Sequence, residues 1–87
     1  MPRLVLPDSL ARLFPGIPRV LEVTGDSVAI CIADADAAWP GLRDRLCNTP
    51  DSWRPHILAF LDGEPCSPTS PIARCSEILV VPALSGG

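Results

Sequence analysis

The sequence predicts an α+β domain in which a mixed sheet of four to five strands carries one main helix on one face. Three observations predict it. Runs rich in β-branched and aliphatic residues recur at 3–6, 18–23, 56–61 and 78–81. One stretch, residues 28–39, repeats its apolar positions at helical rather than strand spacing. A chain of 87 residues has room for one hydrophobic core and no second.

Arg3, Leu4, Val5 and Leu6 read as a first short strand ended by Pro7. Residues 8–16 contain Leu10, Leu13 and Phe14 and close on Pro15-Gly16, a turn signal. In the second strand Val20, Leu21 and Val23 suit pleated structure, while Glu22 marks the wetter face. Gly25-Asp26-Ser27 changes the pattern, because Asp26 or Ser27 can accept a bond from the free N–H groups that open a helix. Val28, Cys31, Ile32, Ala35 and Trp39 then follow at i, i+3, i+4, i+7 and i+11, which is one helical stripe. Asp34 lies off the stripe and Asp36 at its edge, as expected of a solvated helix face. Pro40-Gly41 breaks the helix, residues 42–47 give one or two further turns, and 48–51 loop out.

Residues 56–61 form the third strand. Asp62-Gly63 behind it is a strong hairpin signal, since both positions tolerate positive φ. Residues 64–66 return as a short strand that Pro65 confines to a sheet edge. Residues 67–76, with Pro68 and Pro71, are a loop. The continuous apolar run Ile78-Leu79-Val80-Val81 fits a central strand covered on at least one face, and Pro82 ends it. The expected division is a folded domain over residues 1–82 and a flexible tail over 83–87, Ala-Leu-Ser-Gly-Gly.

Composition narrows the function. The formal charge is −3, and the seven basic residues are all arginines, scattered without a basic run, so nucleic acid is not an expected partner. There is no lysine, hence no ε-amine to accept a modification. No apolar run approaches the ~20 residues of a membrane span. The opening MPRLVLPDSL is broken too soon by Pro7 and Asp8 to be a signal peptide, so a cytoplasmic protein is expected. Cys31, Cys47, Cys66 and Cys75 then read as reduced, with three or four of them buried or partly buried. They form no CxxC pair, and His56 is the only histidine, which leaves no zinc set; His56 itself reads as structural or exposed. Trp39 ends the helix stripe, and Trp53 is either exposed or closes a loop over the core.

The terminal Gly-Gly follows directly on an apolar strand in a β-β-α-β-β-β chain. With GDSVAICIADADAAWPGLRDRL (residues 25–46), RPHILAFLDGE (54–64) and EILVVPALSGG (77–87), the chain resembles the MoaD/ThiS family of ubiquitin-like sulfur carriers. Within that family it is most similar to the CysO-type carriers of cysteine biosynthesis, whose terminus resembles ILPAVAGG. The family usually has Gly-Asp before the last strand, where this chain has Cys75-Ser76. The resemblance implies a β-grasp (ubiquitin-like) fold and a protein co-substrate rather than an enzyme. An E1-like (MoeB/ThiF-type) partner would adenylate the Gly87 carboxylate with ATP and magnesium, and a sulfur donor would replace AMP to leave a thiocarboxylate. That sulfur would pass to an acceptor enzyme, a cysteine synthase or the large subunit of molybdopterin synthase. No cofactor or metal would be bound by this chain itself.

The residues suit such chemistry. Gly86 and Gly87 lack Cβ and can thread a narrow channel, and from Pro82 to Gly87 an extended chain reaches about 20 Å. Leu84 reads either as an anchor at the channel mouth or as a single exposed apolar residue, and Leu84 and Ser85 would be contacts for the partner. Strand alternation adds a docking face: if Ile57, Ala59 and Leu61 face the helix, Leu58 and Phe60 face outward, and Leu79 and Val81 join them if Ile78 and Val80 face inward. The remaining readings are the small subunit of molybdopterin synthase, a sulfur donor for a specialised metabolite, a protein modifier forming isopeptides, and a plain binding module with an inert tail.

Overall fold

The computed structural model describes residues 1–73 and 76–82. The elements run β1 (Arg3–Val5), α1 (Asp8–Ala11), β2 (Val20–Glu22), α2 (Val28–Ala38), α3 (Leu42–Leu46), β3 (Cys47–Thr49), β4 (Ser52–Trp53), β5 (Ile57–Leu61), β6 (Glu64–Pro65) and β7 (Glu77–Pro82). Five strands form one mixed sheet in the order β2-β1-β7-β5-β6. Strand β7 lies at its centre, parallel to β1 and antiparallel to β5. This is the β-grasp arrangement.

Helix α2 covers one face of the sheet. Val28, Cys31, Ile32 and Ala35 are buried from the helix, and Leu4, Leu21, Val23, Ala59, Ile78 and Val80 meet them from the sheet side. Leu6, Leu10, Leu42 and Leu46 close the same cluster at its ends. The helix starts where the sequence places it. Ser27 is extended, and its Oγ accepts from the Ile30 N–H at 3.2 Å. The first two helical N–H groups, of Val28 and Ala29, donate instead to the carbonyls of Ser70 and Pro68. The loop at 67–72 is therefore the other half of the helix cap, and Pro68 is fully buried in it.

Both sides of the Pro40-Gly41 break depend on Asp36. Gly41, at φ +98°, is the N-cap of α3 and has no side chain to offer. Asp36 Oδ1 accepts from the N–H groups of Gly41 (3.1 Å) and Arg43 (3.0 Å) in its place. Asp36 is half-buried and structural, not part of a solvated face. Its companion Asp34 is exposed and accepts from the Thr24 N–H.

Two further differences from the sequence reading are local. Residues 8–11 close one helical turn that buries Leu10. Residues 47–53 do not simply loop out: β3 and β4 pair with each other as a separate two-stranded sheet. Polar side chains hold its turn, with Thr49 Oγ1 donating to Asp51 Oδ1 at 2.7 Å and lying 2.6 Å from Ser52 Oγ. Trp53 closes this hairpin over the core, its indole N–H donating to the Cys66 carbonyl at 2.8 Å.

Asp62 (φ +50°) and Gly63 (φ +89°) make the tight turn from β5 to β6. Asp62 also exchanges bonds with the start of β7: its N–H donates to the Glu77 carbonyl, and its Oδ1 accepts from the Glu77 N–H. Strand β6 lies at the edge, where Pro65 removes no ladder bond from a neighbour. Ser76, where the resemblance leads one to expect a different turn, is buried, and its Oγ donates to the Ala73 carbonyl.

Candidate functional site

The uncovered face of the sheet carries the candidate site. Alternation along β5 and β7 sends Ala59, Ile78 and Val80 into the core and leaves Leu58, Phe60, Leu79 and Val81 on the far side. The register brings these four together, with Leu58 opposite Val81 and Phe60 opposite Leu79. Leu58 is 47% and Leu79 38% exposed, while Phe60 and Val81 are half-buried. Large aliphatic side chains left this open on adjacent central strands form a contiguous apolar surface rather than isolated exposures.

The face is wider than alternation in β5 and β7 alone indicates. On its other side Leu79 lies opposite Val5, and Val5 lies opposite Val20. Phe60, Leu79, Val5 and Val20 thus form one row across four strands, about 14 Å long at the usual strand spacing. Val5 and Val20 escape the sequence reading, although its signal is present: Leu4 and Leu6 alternate with Val5, and Leu21 and Val23 with Val20 and Glu22. A charged row borders the apolar one. Arg3 lies opposite both Glu77 and Glu22, and its guanidinium is 3.5 Å from the Glu77 carboxylate.

The apolar face leads to the chain's last residues. Pro82, at the end of β7, pairs with Ile57, next to the Leu58–Val81 pair. Leu84, Ser85, Gly86 and Gly87 lie outside the described residues. So does Cys75.

Of the other cysteines, Cys31 is buried and Cys47 and Cys66 are half-buried. Burial pushes all three thiols up from the ordinary range. The nearby Asp34 and Asp26 carboxylates add to this at Cys31, and Arg43 opposes it at Cys47. Their thiolates are correspondingly scarce at neutral pH, which suits packing rather than sulfur transfer. His56 is exposed, in the left-handed region at φ +70°. Among the described residues no three His, Cys, Asp or Glu side chains come together, and no helix is long and apolar enough to cross a membrane.

No family model and no curated protein matches the chain. Solved structures do. A chain of the Amycolatopsis orientalis BexX/CysO complex superimposes with a TM-score of 0.86 at 20% identity, over 100% of both chains. Mycobacterium tuberculosis CysO, described as an antigen, gives 0.85 at 20% identity, over 97% of this chain and 100% of that one. SAMP1 from Haloferax volcanii gives 0.74 at 25% identity, over 99% and 98%. The chain therefore shares the ubiquitin-like β-grasp fold of CysO and SAMP1, as the resemblance in its sequence implies.

Proposed function

We propose that this chain is a ubiquitin-like sulfur carrier of the MoaD/ThiS type, a protein co-substrate whose working group is the carboxylate of Gly87. One observation carries the reading: the apolar outer face formed by Leu58, Phe60, Leu79 and Val81 lies on the central strands, and one of those strands continues directly into a chain end reading Leu-Ser-Gly-Gly. A docking face beside an unhindered terminus is what delivery of an acyl group to another protein requires. The fold shared with CysO supports it.

A free carboxylate is a poor electrophile. In the proposed reaction the Gly87 carboxylate attacks the α-phosphorus of ATP, magnesium pyrophosphate leaves, and an acyl-adenylate remains. Hydrosulfide then attacks the acyl carbon, AMP leaves, and loss of the proton gives the thiocarboxylate. Both steps take place in an E1-like MoeB/ThiF-type partner, which must enclose the terminus to keep water from the acyl-adenylate. The domain contributes docking: the apolar face binds the partner, and Gly86 and Gly87 place no Cβ in its channel. Cysteine biosynthesis is the pathway we favour, because the chain's end resembles that of the CysO-type carriers of cysteine biosynthesis and the structural neighbours include CysO.

The test is intact-mass analysis of the full chain after incubation with a MoeB/ThiF-type enzyme, ATP, magnesium and a sulfur source. The expected result is a mass gain of one oxygen-to-sulfur exchange, abolished by deleting residues 86–87. Covalent adducts with other proteins instead would identify a modifier. An unchanged mass with every such enzyme of the same genome would refute the carrier reading.

A further inference from the structure

An open groove of about 590 Å³ lies beside Pro82, and neither the core nor the proposed chemistry accounts for its charged side chains. Arg45, Arg54 and His56 line it, with Leu13 and Ile57 as an apolar wall. Asp44 shares the lining. Among the described residues the ion pairs are Arg3–Glu77 and Arg19–Asp8, so the Asp44 carboxylate pairs with neither groove arginine. Two arginines against one aspartate leave the groove net positive on a chain whose formal charge is −3.

The three donors are held on one frame. Arg54 is tied to α3 twice: its backbone N–H donates to the Leu46 carbonyl at 2.9 Å, and its Nε donates to the Asp44 carbonyl. Arg45 stands on that same helix. Engaging Nε orients the guanidinium and leaves its Nη groups as donors. The Ile57 N–H donates to the Arg54 carbonyl at 3.1 Å, which closes a turn with Pro55 and His56 at its centre. Proline followed by a residue at φ +70° makes this a type II turn, whose third position favours glycine or asparagine. His56 occupies it instead, although it is exposed and has no place in the core. A side chain that breaks a local backbone preference without serving the core is a signature of function rather than of folding.

We infer that the groove binds an organic phosphate monoester. Arg45, Arg54 and His56 take the phosphoryl oxygens, and the organic part lies on Leu13 and Ile57. Donor number selects the anion. One guanidinium fork satisfies a carboxylate, whereas two guanidiniums and an imidazole N–H suit a phosphoryl group, with three terminal oxygens and a charge of about −1.5 to −2. Size selects the rest, because the groove has the volume of a small-molecule site and far exceeds phosphate alone. Leu13, 50% exposed, offers the organic part an apolar surface. The inference is independent of the carrier reading, since it uses no residue of the outer face and none of residues 83–87.

The test titrates the full chain with phenyl phosphate at low salt and follows the backbone amide resonances. The amides of Arg45, Arg54 and His56 should shift with a Kd on the order of 1 mM. Inorganic phosphate lacks the ring and benzoate lacks the phosphoryl group, so each should bind about threefold more weakly or worse. Arg45→Gln and Arg54→Gln should each weaken phenyl phosphate about three- to tenfold. Arg43→Gln, on α3 but outside the groove, should bind as the unaltered chain does. His56→Gly gives the turn its preferred residue, so its melting temperature should hold while its binding weakens severalfold. AMP and glucose 6-phosphate, titrated in the same way, distinguish a nucleotide from a sugar phosphate as the source of the monoester. Four results would each overturn the inference: no shift with phenyl phosphate at about ten times the expected Kd, benzoate binding as tightly, equal weakening by Arg43→Gln, or a His56→Gly chain that melts clearly lower or binds unchanged.

Discussion

Truncating the two most open residues of the central strands on the outer face, as Leu58→Ala with Leu79→Ala, tests whether that face docks a partner. Leu58 and Leu79 leave 47% and 38% of their surface in water. Complete burial of a leucine side chain is worth about 1.5–3 kcal/mol. Covering the exposed fraction therefore contributes about 0.7–1.4 kcal/mol at Leu58 and about 0.6–1.1 kcal/mol at Leu79. Alanine keeps its own Cβ in the contact, so the combined loss falls toward the lower end, about 1.4 kcal/mol, or roughly tenfold in affinity. A docking contact is the same before and during the chemical step, so the loss should appear in KM for the carrier and leave kcat nearly unchanged. The assay is the initial rate of sulfur gain against carrier concentration, with melting temperatures recorded for the same samples. Ile30→Ala serves as the control, because Ile30 is 52% exposed but stands on α2, outside this face. A folded double variant with unchanged KM, or one that loses kcat at constant KM, would refute the reasoning.

Three further perturbations probe the frame that holds the face. Gly25→Ala would place a Cβ 2.6 Å from Ile30 Cγ2 and 2.9 Å from the Cys31 backbone nitrogen, at a φ of +156°. We expect it to destabilise by about 1–3 kcal/mol and to melt roughly 5–20 °C lower; adding Ile30→Ala should recover only part, since the Cys31 nitrogen remains, and an unaltered melting point would contradict this account. Asp36→Ala leaves the Gly41 and Arg43 N–H groups without their acceptor. Denaturant melts should show a loss of about 0.5–2 kcal/mol, smaller for Asp36→Asn, and equal stability would remove Asp36 from its capping role. Burial first, then Asp34 and Asp26, raises the Cys31 thiol pKa. The folded chain thus keeps a proton that the unfolded chain loses. The resulting stability is complete below the unfolded thiol's ordinary pKa, about 8.5, and is lost as pH rises through the raised folded value. Chemical melts should weaken with rising alkalinity, less steeply in Cys31→Val, and identical pH slopes would exclude Cys31 as a source.

Much of this architecture is written in short-range pattern. Ser27, the Val28-Cys31-Ile32-Ala35 stripe and the Pro40-Gly41 stop define α2 from its own residues, because capping and helical period act within one or two turns. Asp62-Gly63 defines its hairpin in the same way, through the φ values a two-residue turn demands. Alternation in β5 and β7 separates the sides of each strand, so Leu58, Phe60, Leu79 and Val81 can be named as one outward set without coordinates.

Period, however, says which side a residue takes and not which strand lies beside it. Only the pairing of β1 with both β2 and β7 joins Val5 and Val20 to the apolar row and places the Arg3–Glu77 pair along its border. Asp36 looks like one more solvated carboxylate until the chain folds back and presents two amides five and seven residues away. The loop at 67–72 is unremarkable in composition, yet its carbonyls complete the cap of a helix some forty residues earlier. The groove beside Pro82 draws on α1, α3, the approach to β5 and the end of β7, which are adjacent only in the folded state. Sequence alone determined the main helix, the five strands of the mixed sheet and the two sides of β5 and β7, since those follow from interactions between near neighbours. Tertiary structure decided how far the face extends and what charge surrounds the chain's exit, since those depend on contacts between distant segments that no local pattern encodes.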